Sequence, residues 1–124
     1  MTDWQRMCRG ETAFSLEEDA IVVVLADERR HRVEIEDLGD AYQLRGIVAR
    51  RSVVDALQDC VLRAWRRNRA TQLMGFRLDH RGRLIGEAWV PKAGLKRDEF
   101  VMYIRTVAAE CDRFEYVLTG KDRE

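Results

Sequence analysis

The groups in this chain that could support catalysis or metal binding are two histidines, three cysteines and a local run of carboxylates, and their spacing favours neither chemistry. His31 and His80 each fall at an expected turn, with no paired Ser or Cys nucleophile and no H-x-x-x-H spacing to place two imidazoles on one helix face. Cys8, Cys60 and Cys111 are widely separated, odd in number and lack a C-x-x-C pair, so they read as reduced thiols rather than a disulfide framework or a zinc site. Glu34, Glu36, Asp37 and Asp40 are close in sequence, but only Glu34 and Glu36 share a strand face and no oxygen-ligand loop surrounds them. A solvated strand edge is the simpler reading. The glycines form no phosphate-cradling pattern. The expectation is a non-enzymatic chain with no catalytic, cofactor or metal site.

Arginine is the one basic residue in excess, supplying 19 of the 22 Lys and Arg residues. Its planar guanidinium suits carboxylate recognition and stacking. Arg63, Arg66, Arg67 and Arg69, with Arg50 and Arg51 nearby, could bind an anion or an acidic peptide, which gives an alternative reading as a small-ligand or anion-sensing domain. The same arginines also suit a helix C-terminus, where cations complement the negative end of the dipole.

The totals narrow the class further. At 124 residues the chain is long enough for one core and short for two, so a single domain over residues 1–124 is expected, with a lead-in over 1–18 and a core over 20–118. Hydrophobic residues at 46% and charged residues at 35% describe a folding chain rather than a disordered one. Acidic and basic residues balance at 22 each, leaving no net field to hold a nucleic-acid backbone or an anionic membrane. Near-zero charge also favours self-association. The longest apolar run, residues 20–26, falls far short of the roughly 20 residues a membrane helix needs, and no signal-peptide pattern opens the chain, so a cytoplasmic location is expected.

The elements that must position these groups follow from periodicity. Thr2 or Asp3 caps a short helix carrying Trp4, Met7 and Cys8, and Gly10 stops it. Residues 20–26 read as a strand covered on both faces, and residues 31–38 alternate with Val33 and Ile35 on one side. Residues 41–50 alternate again, with Tyr42, Leu44 and Val48 opposite Gln43, Arg45 and Ile47. Ser52 then caps one helix of about four turns, with Val53, Val54, Leu57, Cys60, Val61, Ala64 and Trp65 on its apolar side.

A hairpin over residues 71–90 turns at Asp79, His80, Arg81 and Gly82, and a long helix over about residues 96–118 buries Phe100, Ile104, Val107, Ala108, Cys111, Phe114 and Leu118. The expected fold class is α+β: a two-layer sandwich with a five-stranded antiparallel sheet, order (α)βββαββα, and helices mainly on one face.

The hairpin has apolar residues on both alternations. If Met74, Phe76, Leu78, Leu84 and Val90 face the helices, then Leu73, Ile85 and Trp89 lie on the opposite face, where Ile47 joins them. Such a patch needs a cover. The candidates are the N-terminal segment with Trp4, Met7, Phe14 and Leu16, a second copy of the chain, or a protein or peptide client. Trp89 beside Arg77 or Arg45 would make an interface anchor.

The stretch GRLIGEAWVP from Gly82 to Pro91, leading through Leu95 into Glu99, Phe100, Ile104 and Val107 and closing on AECDRFEY from Ala109 to Tyr116, resembles the YbjN family within the type III secretion chaperone-like fold. The resemblance spans roughly residues 21–118. It implies a non-enzymatic dimeric protein. Secretion chaperones of this fold wrap an extended effector segment, and YbjN-like members are regarded as regulators. No nucleic-acid or membrane partner is implied.

Overall fold

Alternating β-branched and charged residues build a sheet, and the apolar stripes of the helices cover one side of it. The computed structural model describes residues 1–120. The elements run α1 (Asp3–Cys8), β1 (Phe14–Leu16), β2 (Ala20–Val24), a 3-10 turn (Ala26–Glu28), β3 (Arg30–Asp37), β4 (Ala41–Ala49), α2 (Arg51–Ala56), α3 (Cys60–Ala70), β5 (Gly75–Leu78), β6 (Leu84–Pro91) and α4 (Arg97–Thr119). The sheet is antiparallel throughout, in the order β1-β2-β3-β4-β6-β5.

The α+β class with one antiparallel sheet is as expected, but six strands form instead of five. The added strand, β1, pairs Phe14 with Val23 and Leu16 with Ile21. Its three residues are too few to show a period. β2 is covered as expected on the side of Ile21 and Val23, whereas Val22 and Val24 are half-exposed.

The expected four-turn helix is two helices. The chain leaves helical geometry at Leu57 (φ −106°, ψ 124°) and re-enters it at Cys60. Ser52 is not the cap: it lies inside α2, whose N-cap position is Arg50. The break rotates α3 relative to the single-helix register, so Cys60 and Ala64 are buried while Val61 and Trp65 face solvent.

The core lies between the inward face of the sheet and α4. His31, Val33, Ile35, Tyr42, Leu44, Leu84, Ala88 and Val90 are buried from the sheet, and Phe100, Ile104, Val107, Cys111, Phe114 and Leu118 from α4. Each fully buried large side chain contributes about 1.5–3 kcal/mol. Every residue of the expected α4 stripe is buried. Gly120, at φ +75°, ends the helix by donating its N–H to the Tyr116 carbonyl.

Close approach of α4 to the sheet depends on two glycines. A Cβ at Gly86 would stand 2.5 Å from Cys111 Sγ, and one at Gly46 would stand 2.9 Å from the same sulfur. These residues pair across β4 and β6, which makes a trough for the thiol.

α1 is capped by Thr2, which exchanges reciprocal hydrogen bonds with Gln5, and packs against α4 with Trp4 and Cys8 buried. Met7, Phe14 and Leu16 pack on the same core. The N-terminal segment therefore lies on the helix side and does not cover the opposite sheet face. Its position is fixed by Glu11, which accepts hydrogen bonds from Arg97 and Arg105 of α4 at 2.7 Å each. Among the described residues no helix is long and apolar enough to cross a membrane.

Candidate functional site

The outward sheet face is dominated by ion pairs rather than by an apolar patch. Arg32 reaches Glu17, Asp19 and Glu34, and Arg45 reaches Glu34 and Glu36. Arg77 holds Glu87 through two hydrogen bonds, and Gln43 donates to the same carboxylate at 2.8 Å. Such exposed pairs contribute at most about 1 kcal/mol each, but they shield the aliphatic residues between them.

Of the residues expected on this face, Ile85 is fully buried. It is flanked by Ile47 on β4 and Arg77 on β5, and Arg45, Arg77 and Arg83 line a polar cleft above it. Ile47 sits at the margin of exposure, and Trp89 is 55% exposed opposite Gln43. Leu73 is not on the sheet at all. It precedes β5 in a left-handed conformation (φ +72°), so strand alternation does not apply to it, and its side chain is exposed. The expected group of four thus separates into one buried residue, two on the outward face and one in a loop. Arg77 and Arg45 are committed to carboxylates rather than to Trp89.

A second set of exposed apolar residues lies on α3. Val61, Leu62 and Trp65 are exposed, Trp65 to 56%, and with Val54 and Leu57 they border an open cleft of about 580 Å³. Val61 and Trp65 were expected inside, and the break between α2 and α3 turns them outward beside Leu62.

The arginines expected as an anion site are spread around α3. Arg63 donates to the Val117 carbonyl at 3.5 Å, Arg67 approaches Glu110 at 3.7 Å and lies over the Phe114 ring, and Arg69 lies over Trp65. Arg66 is exposed.

The other edge of α3 has a positional role. Asn68 Oδ1 accepts from the Phe76 N–H at 2.6 Å, and its Nδ2 donates to the Phe76 carbonyl at 3.0 Å, so a side-chain amide takes the place of a neighbouring strand beside β5. The turn that follows β5 is organised by Asp79, which accepts from the Arg81 and Arg83 backbone N–H groups and from Arg83 Nε. Gly82 supplies the left-handed position at φ +77°.

One buried polar cluster escaped the sequence reading. His31 belongs to β3, not to a turn, and is only 8% exposed, as is Asp112 of α4. Arg29 converges on Asp112 Oδ2 with Nε at 2.8 Å and Nη2 at 2.7 Å. His31 Nε2 lies 2.9 Å from the Ile47 carbonyl, which can only accept, so Nε2 carries the proton. His31 Nδ1 then faces Asp112 Oδ1 at 4.0 Å. Burial lowers the His31 pKa, and the Ile47 carbonyl and Asp112 oppose that shift without reversing it. Alternation held the missed signal, because His31 shares parity with Val33 and Ile35.

No protein-family profile matches the sequence, and no curated protein sequence is significantly similar to it. Solved structures do share the fold. One is the HopA1–SchA chaperone–effector complex, with a TM-score of 0.55 and 12% identity over 91% of this chain and 88% of that one. Another is the ExsC–ExsE complex, with a TM-score of 0.56 and 17% identity over 88% of this chain and 84% of that one. The fold is thus the type III secretion chaperone-like fold.

Proposed function

We propose that this protein is a non-enzymatic, chaperone-like binding module that holds an apolar segment of a client protein and acts as a cytoplasmic homodimer. The observation that carries the reading is the pairing of this fold with large apolar side chains left in solvent on two separate surfaces. A monomer gains nothing from exposing Val61, Leu62 and Trp65 together, and contiguous apolar surface of this kind marks association sites. We assign the α3 surface to the second copy, because a single helix face can meet its own twofold mate. Trp89 and Ile47, rimmed by ion pairs, suit a smaller extended segment lying across the strands. The YbjN resemblance belongs to the same reading.

Sedimentation of wild type, Trp65→Asp and Trp89→Asp tests the dimer. The expected result is a dimer for wild type and Trp89→Asp and a monomer for Trp65→Asp; a wild-type monomer at every concentration removes the dimer from the reading. Recovery of the tagged chain from its native cell, followed by reconstitution with the purified companion, tests the client. A defined stoichiometry lost in Trp89→Asp supports it, and failure of any companion to reconstitute overturns it.

A further inference from the structure

We propose that the α3 surface pairs with a second copy of this chain in one antiparallel register, set by two symmetric ion pairs between Asp59 of one copy and the partner's Arg66. The inference rests on the assignment of that surface to a dimer. It adds the direction of the two helices, their register and the electrostatic basis of self-recognition.

Two centres on α3 coincide. The exposed apolar residues Val61, Leu62 and Trp65 are centred close to the point between Leu62 and Arg63. Asp59 and Arg66, both exposed, lie equally far to either side of that point, about 5 Å along the axis in each direction. At about 100° per residue, Val61 and Trp65 share one side of the exposed face, while Asp59, Leu62 and Arg66 follow its other edge. Asp59 also borders the cleft formed by Val54, Leu57, Leu62 and Trp65, which places its carboxylate beside the apolar group.

A twofold axis between two antiparallel helices sets the same edge of each helix side by side with its direction reversed. With the axis at the shared midpoint, Trp65 packs against the partner's Val61. The same operation sets Asp59 level with the partner's Arg66, and does so twice. A parallel pair would instead bring Asp59 against its own mate and Arg66 against its own mate, so like charges select against it. The helix dipoles favour the antiparallel arrangement as well.

The two charges the register needs are those that α3 presents outward. Asp59 occupies the N-cap position, but its side chain makes no capping hydrogen bond. Arg63 reaches the Val117 carbonyl, Arg67 lies near Glu110 and over Phe114, and Arg69 lies over Trp65, whereas Arg66 projects into solvent.

Sedimentation of the full-length chain at low salt tests the register, with Asp59→Arg, Arg66→Asp and the double variant beside wild type and Trp65→Asp. Each single reversal turns two attractive pairs into two repulsive ones, so the dimer should weaken about tenfold or more. The double variant restores both pairs with their signs exchanged and should dimerise within about threefold of wild type. It should not exchange into wild-type dimers, where like charges would meet. Circular dichroism and urea midpoints verify that each variant is folded. Should Asp59→Arg fail to fold, Asp59→Asn replaces it, with dimer affinity lowered about threefold. Single variants that dimerise like wild type, or a double variant no tighter than the singles, would overturn the register; loss of the dimer in Trp65→Asp alone would then leave the α3 interface standing. A wild-type monomer at every concentration overturns the register and the dimer together.

Discussion

The side-chain amide of Asn68 meets the backbone of Phe76 twice, accepting from its N–H at 2.6 Å and donating to its carbonyl at 3.0 Å. α3 thereby terminates the sheet beside β5 without contributing a strand. Removing the amide in Asn68→Ala leaves both backbone groups of Phe76 without these partners. A loss of about 1–3 kcal/mol is expected in urea unfolding. Asn68→Asp keeps the acceptor and should retain part of that stability at neutral pH. Equal stability of Asn68→Ala and wild type would show that water replaces the amide at no cost.

The Gly46–Gly86 trough under Cys111 makes a second expectation. Gly86→Ala introduces a Cβ against Cys111 Sγ, Met74 Cε and Phe76 Cε1, all closer than 3 Å, and should destabilise by about 1–3 kcal/mol. Shortening the thiol in Cys111→Ala returns part of the space. The double variant should therefore be more stable than the sum of the singles by at least about 0.5 kcal/mol. Strict additivity in a double-mutant cycle would mean that Met74 and Phe76, not the sulfur, set the limit.

His31 gives the fold a pH dependence. Its native pKa lies below the ordinary 6.5, chiefly because burial disfavours the imidazolium. As pH falls through the unfolded value, the unfolded chain takes up this proton first, so stability is lost from about pH 6.5 downward until the native pKa is reached, and this contribution then levels off. Urea midpoints measured between pH 8 and 5 should show this decline. His31→Gln should flatten it. A wild-type midpoint that rises on acidification across that window would mean that the imidazolium is stabilised in place by Asp112.

How much of this was legible in the sequence varied with length and parity. α4 was readable because seven apolar residues recur at helical spacing over six turns of chain, and each is buried. The β3, β4 and β6 pleats were readable for the same reason at period two. β1 was not, because three residues carry no period. The α2–α3 break was missed because Leu57 and Cys60 continue the helical rhythm across it, and no Pro or Gly marks the interruption. That error also concealed the exposure of Val61 and Trp65. Leu73 was misplaced because alternation was extended past the end of β5 into a left-handed residue. The His31–Asp112 cluster joins residues far apart in sequence, so local spacing could not bring them together, although the parity of β3 already directed His31 inward.

The amide of Asn68 has a consequence for growth. Among the described residues neither terminal strand has a strand on its outer side, but at β5 the Asn68 side chain occupies the backbone groups of Phe76, which leaves the three-residue β1 as the open edge. Linear polymerisation by strand addition needs a receptive edge at each end of the unit, whereas this sheet offers one short edge. An added strand is therefore a terminal event, and the exposed sheet face can be offered to another protein without seeding a filament of its own kind.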